Sequence, residues 1–221
     1  MAIRTYLSRL VKIFISSAVM FISSQTHASN IPTIELRSRN TLIFDSEINP
    51  VTVDTFMASI VGKRMMLPDK ETLFLLIVSP GGRYDSALIM QKILSKIPNT
   101  AVICKYCASA AGWIFATAPG PRLVIAKSSL MMHEMYLSHA TAHMVINTIA
   151  MINFENESDD FNKALYSRIG MSKEAYEKKI LNTEWTLDGE DIVKFHLADG
   201  LIKIHCDPYM ASLAPETCKP E

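Results

Sequence analysis

Leu73-Phe74-Leu75-Leu76-Ile77-Val78-Ser79-Pro80-Gly81-Gly82 is the stretch that decides the fold of this chain. Six consecutive apolar residues do not alternate as a strand wetted on one face would. They read as a strand covered on both faces, as in a parallel sheet flanked by helices. Pro80-Gly81-Gly82 turns the chain, and residues 85–97 then repeat apolar side chains at helical spacing (Ala87, Leu88, Met90, Ile93, Leu94, Ile97) up to Pro98. Ala101-Val102-Ile103-Cys104 is a second buried strand, so the stretch closes a βαβ unit.

The same alternation continues outward. Upstream, Asn40-Thr41-Leu42-Ile43-Phe44 reads as a strand, and residues 51–61 as a helix ahead of the turn Pro68-Asp69-Lys70. Downstream, residues 109–118 form a small-residue-rich buried helix stopped by Pro119-Gly120-Pro121. Leu123-Val124-Ile125 and Ser129-Leu130-Met131-Met132 supply a third strand leading to His133. A long, weakly amphipathic helix is expected over about 140–169, ending at Gly170, and Ser172 caps the next helix. A short helix after Leu187-Asp188-Gly189-Glu190-Asp191 runs to His196, and Leu201-Ile202-Lys203-Ile204 is the final strand. The expectation is an α/β fold with one core, about residues 40–204, followed by a tail, 205–221.

Composition narrows the function classes. The 221 residues are 49% hydrophobic and 20% charged, with 22 Lys+Arg against 22 Asp+Glu, which excludes a disordered chain and gives no basic footprint for nucleic acid. Eight glycines and ten prolines without a short period exclude collagen-like and solenoid architectures. The first 28 residues differ from the rest. Arg4, Arg9 and Lys12 precede the apolar run Ile13 to Ile22, and Thr26-His27-Ala28 places small residues at −3 and −1, as in a secretory signal peptide cleaved after Ala28. The apolar run falls short of the roughly 20 residues that span a bilayer. Residues 29–221 are then the mature, periplasmic or secreted domain, without a membrane span. Cleavage removes three basic and no acidic residues, leaving a net charge of −3.

Export gives the four cysteines an oxidising setting. Cys206 and Cys218 bracket a proline-containing tail and are the favoured disulfide. Cys104-Lys105-Tyr106-Cys107 follows a strand in mid-chain, where a local disulfide or two buried thiols fits better than a redox dithiol. His139 and His143 stand four apart with no catalytic Glu between them and no third ligand, so no metal is assigned and no cofactor is expected. Asn156-Glu157-Ser158 matches a glycosylation sequon whose use depends on the host.

Two features carry chemistry. A strand, then Pro-Gly-Gly, then a helix leaves main-chain N–H groups where a ligand can approach, without the lysine of a phosphate loop. Ser109 sits where a strand gives way to a helix among Ala108, Ala110 and Ala111, so its hydroxyl is unshielded, although taken alone a serine there suits a helix N-cap better than a nucleophile. His133 ends an apolar strand 24 residues later, a place where imidazole packs poorly but can serve as a base.

Taken in order, Leu76 to Gly82, Val102-Ile103-Cys104 leading to Ala108-Ser109-Ala110-Ala111-Gly112, and Leu130-Met131-Met132-His133 resemble the proteolytic subunit of Clp protease. The likeness runs from about residue 40 to 204 and includes Arg168-Ile169-Gly170-Met171-Ser172 and Leu187 through Ile202. It implies the ClpP/crotonase-like spiral of β-β-α units and a Ser-His-acid triad hydrolysing peptide bonds. Carried over, the nucleophile is Ser109, the base His133, and the oxyanion hole the N–H groups of Gly82 and Ala110. The third member falls on Glu184, where the family has aspartate, with Asp188 the nearest other acid. An ungapped alignment through Gly112 places Ala110 at the nucleophile position, but Ser109 is the only hydroxyl between Ala108 and Ile114. The resemblance further implies peptide or unfolded-protein substrates and a homo-oligomer assembled through the 140–169 helix. An exported copy has neither ATP nor an unfoldase partner. The alternative is a catalytically inactive binding or assembly module of the same fold.

Overall fold

A computed structural model describes residues 31–134, 162–163 and 165–218. The expected signal peptide, most of the 140–169 helix, His139, His143 and the Asn156 sequon lie outside the described residues. The elements in chain order are β1 (Thr33–Leu36), β2 (Thr41–Phe44), α1 (Pro50–Met66), β3 (Leu73–Ser79), α2 (Tyr84–Leu94), β4 (Thr100–Ala108), α3 (Ala110–Thr117) and β5 (Arg122–Met132). There follow α4 (Lys173–Ile180), β6 (Trp185–Asp188), α5 (Gly189–Lys194), β7 (Gly200–Leu201), β8 (Lys203–Cys206), α6 (Pro208–Leu213) and α7 (Pro215–Cys218).

Six strands form the main sheet, in the order β2-β3-β4-β5-β6 with β7 paired to β5. β2, β3, β4 and β5 run parallel, whereas β6 is antiparallel to the second half of β5. The unbroken apolar run of β3 has its expected cause. Leu73, Leu75 and Ile77 point into the main core beneath the helices, and Phe74, Leu76 and Val78 into a smaller cluster with Leu36, Ile103, Ile125 and Ile202 on the other face.

Three details differ from expectation. The final strand is two: Gly200–Leu201 joins the main sheet, and Lys203–Cys206 pairs in parallel with β1 in a second, two-stranded sheet. That sheet brings Leu36, upstream of the expected core, to full burial. The strand read as two pieces before His133 is one continuous β5, with a register irregularity where Ser128 Oγ accepts from Ile125 N–H at 2.9 Å.

Both cysteine pairs are disulfides: Cys206–Cys218 as expected, and Cys104–Cys107 rather than two buried thiols. The tail is further fixed by Asp207, which caps α6 through Met210 N–H and accepts from Ser38 N–H at 3.0 Å. Buried Arg122 grips Asp199 through two guanidinium nitrogens and reaches the carbonyls of Ala116 and Leu197, tying β5 to the end of α3 and to the α5–β7 loop. Among the described residues no helix is long and apolar enough to cross a membrane.

Candidate active site

Parallel strands end on the same edge of a sheet, and β3, β4 and β5 therefore deliver Pro80-Gly81-Gly82, Ser109 and His133 side by side at their carboxyl ends, the usual ligand edge of an open α/β sheet. Topology alone makes neighbours of residues as far apart in the sequence as Pro80 and His133.

The turn after β3 is held from below. Buried Ser79 donates its hydroxyl to Ser46 O at 2.6 Å and accepts from Gly81 N–H at 3.1 Å. Ile48 bridges the turn: its N–H donates to Gly81 O at 2.7 Å, and its carbonyl accepts from Arg83 N–H at 2.8 Å. In such a bridge the middle residue, Gly82, directs its own N–H away from the partner. Both glycines have positive φ, 92° for Gly81 and 145° for Gly82. A Cβ on Gly81 would stand 2.8 Å from both Ala110 N and Ser109 Cβ, so the turn lies directly against the β4–α3 junction.

Ser109 is that junction. Its backbone adopts φ 53°, ψ −123°, sparsely populated for a residue with a Cβ, and its side chain makes no capping bond to α3. Such a bend between strand and helix characterises a nucleophile elbow, which lifts a serine hydroxyl clear of both elements. Ser109 is half-buried, and its N–H donates to Met131 O at 2.8 Å. Ala110 is the first residue of α3, so its N–H has no acceptor within the helix. The helix comes this close because Gly112 leaves room: a Cβ there would lie 2.9 Å from Met131 O.

His133 follows β5 directly. Its Nδ1 lies 2.5 Å from the Glu134 carbonyl. A carbonyl only accepts, so Nδ1 bears the proton and Nε2 of a neutral ring carries the lone pair of a base. The β5–β6 ladder ends at the pair Met132–Trp185, so His133 is the first residue beyond it on β5 and Glu184 the last before it on β6, and Glu134 N–H already turns to Ile180 O at 3.1 Å. Glu184 is solvent-exposed, just ahead of β6. Asp188 is elsewhere: it pairs with Ser129, about 13 Å along the strand from His133, and caps α5 by accepting from Asp191 N–H at 3.1 Å. The end of β6 is anchored to the serine helix through aromatic rings, because Tyr176 packs edge-on against both Trp113 and Trp185 at 6.4 Å. Burial pushes the Tyr176 phenol well above its ordinary range, so it stays neutral.

Sequence reasoning missed Gly81, whose absent side chain gives the elbow its space, and the carbonyls of Met131 and Glu134. Gly81 stood inside the quoted motif, but only a positive φ and a backbone contact reveal its role, and main-chain acceptors leave no trace in a sequence. Among the described residues no group of three or more His, Cys, Asp or Glu is placed to hold a metal. Compared with known families, residues 24–205 match the family model described as Clp protease.

Proposed function

Because the chain belongs to the Clp protease family, we propose that it is an exported serine endopeptidase with Ser109 as nucleophile, His133 as general base and Glu184 as the acid that steadies the histidine, acting on peptides or loosely folded chains without ATP. The conformation of Ser109 carries this reading. A helix-capping serine needs no positive φ and bonds its side chain to the helix, whereas Ser109 has the positive φ and makes no capping bond. The elbow also supports Ser109 over Ala110, which already lies in regular helix.

The chemistry follows from the arrangement. His133 Nε2 removes the Ser109 hydroxyl proton as Oγ attacks the peptide carbonyl. The oxyanion that forms is met by the N–H groups of Gly82 and Ala110 at the positive end of α3. Arg122 and Arg168 both donate to Ala116 O, at 3.2 and 3.0 Å, placing positive charge at the opposite, negative end of that helix. His133 then returns the proton to the leaving amine, and water hydrolyses the acyl-serine by the same route. Glu184, the residue before β6, is the acid that stabilises the imidazolium.

Export is supported by the signal-peptide pattern of residues 1–28 and by two disulfides, and an exported chain has no ATP to draw on. Labelling with a fluorophosphonate probe tests the nucleophile: the wild type is expected to label and to cleave an unfolded substrate, and Ser109→Ala to do neither. Equal labelling of the two proteins refutes the assignment. The proposal extends to a homo-oligomer, checked by light scattering; a monomeric mass from an active preparation contradicts it.

A further inference from the structure

Side chains of a strand alternate between faces, so two cysteines three residues apart should point to opposite sides of the sheet. In β4 they do not. Cys104 and Cys107 are both fully buried in the main core on one face and are joined as a disulfide with Cα atoms 5.9 Å apart. Lys105 accounts for the difference. Between the pairs Ile77–Cys104 and Val78–Tyr106, β3 advances one residue and β4 two, so Lys105 is the extra residue of a bulge. The bulge is pinned from β5 as well. Ser128 Oγ donates to Cys104 O at 2.5 Å, and Lys105 Nζ donates to Lys127 O at 3.1 Å.

This extra residue sets the phase of everything after it. Cys107 and Ala108 pair with Leu130 and Met131, and Ser109 N–H then meets Met131 O. Without the bulge Ser109 would slip by about 3.3 Å, and its side chain would turn to the other face. The disulfide forbids that state. Three steps of extended strand separate Cα atoms by about 10 Å, whereas a disulfide bridges at most about 7 Å. We infer that Cys104 and Cys107 are positioning residues: their disulfide locks the β4 bulge that aims Ser109, so the oxidised chain holds the nucleophile in register and the reduced chain does not. The inference rests on the reading of Ser109 as nucleophile. Reduction by a dithiol such as dithiothreitol breaks the S–S bond with transfer of two electrons and two protons, leaving two thiols while the reductant closes to its cyclic disulfide. Both sulfurs are buried, so this step requires local opening of β4.

The test compares wild type, Cys104→Ala/Cys107→Ala and Cys206→Ala/Cys218→Ala. The first double variant is expected to label with fluorophosphonate about 100-fold more slowly, the scale of loss for a misplacement of about 1 Å. Its kcat should fall with KM unchanged, and amide exchange should quicken at residues 105–112. The second should label like wild type. A first variant that folds, labels at the wild-type rate and shows unchanged exchange overturns the inference. Failure of the wild type to label would instead strike the protease reading, and exchange at 105–112 would still decide the positioning role: faster supports it, unchanged overturns it. Should the first variant not fold, native wild type titrated with dithiothreitol replaces it. Loss of labelling in step with release of the Cys104 and Cys107 thiols, and its return on reoxidation, supports the lock; full labelling with both thiols released overturns it.

Discussion

Replacing Gly81 with alanine adds one methyl group at the point where the Pro-Gly-Gly turn meets the serine elbow. The new Cβ would stand 2.4 Å from Ala108 O and 2.8 Å from Ala110 N, where ordinary contact begins at 3.4 Å. These neighbours are backbone atoms and cannot rotate away, so the turn and the elbow must part by about 1 Å. The φ of 92° adds a second cost, about 1–2 kcal/mol for a residue with a Cβ in left-handed space. Overpacking contributes about 1–3 kcal/mol more. The expected loss of stability is therefore about 2–5 kcal/mol, a fall in Tm of about 4–20 °C for a domain of this size. A 1 Å displacement between the oxyanion donors and Ser109 predicts about 100-fold slower fluorophosphonate labelling in protein that remains folded. Gly62→Ala is the matched control. It lies in α1 with nothing within 4 Å of the added Cβ, so the same methyl should stabilise by about 1 kcal/mol and leave labelling alone. Differential scanning calorimetry and a labelling time course read both variants. If Gly81→Ala keeps wild-type Tm and labelling rate, the turn does not define the space around the serine, and the site geometry argued from it is wrong.

Glu184→Gln should lower turnover by up to about 10⁴-fold while leaving Tm unchanged, because an amide no longer stabilises the imidazolium; Asp188→Asn should affect neither, since asparagine caps α5 equally well, and steady-state kinetics on the pair decides which acid acts. For Asp199, burial pushes the carboxyl up, but hydrogen bonds from Arg122 and the charges of Arg122 and Arg168 outweigh this and hold it below the ordinary carboxylate range. A folded pKa below the unfolded one adds stability above the unfolded value that disappears as pH falls through the folded one, so part of the stability should be lost on acidification below about pH 4. Arg122→Met, which orphans the buried carbonyl of Leu197 and leaves Ala116 O to Arg168 alone, should cost about 3–5 kcal/mol and weaken that acid dependence in urea titrations run across pH. Cys206→Ala/Cys218→Ala opens a loop of sequence separation 12 and should cost about 3 kcal/mol by denaturant unfolding without loss of activity.

Local pattern was enough to establish the α/β class of this chain. A six-residue apolar run, a Pro-Gly-Gly turn and a helical period are each set by a few neighbouring residues, and burial on both faces of β3 follows from them. The ordered motifs also pointed to Gly82, Ser109 and His133, because a glycine pair, a serine at a strand–helix junction and an imidazole ending an apolar strand are each weak alone but specific in that order. Nothing local distinguishes a serine that caps a helix from one held in an elbow, since the difference is a backbone torsion set by Gly81 after β3, Met131 O on β5 and a bulge in β4 that the register with β3 reveals. The same holds for Cys104 and Cys107, whose spacing in a regular strand places them on opposite faces until the register with β3 inserts Lys105. Leu201 to Ile204 reads as one strand by hydrophobicity, yet the chain changes sheets within it because β1 offers a second parallel partner. Glu184 and Asp188 are two acids four residues apart in the sequence, and only the antiparallel pairing of β6 with β5 leaves the first just before the ladder end that precedes His133 and pairs the second with Ser129, about 13 Å along the strand. Composition and period depend on near neighbours and can be read along the chain; register, bulges and main-chain acceptors depend on which strands meet, and only the tertiary structure decides that.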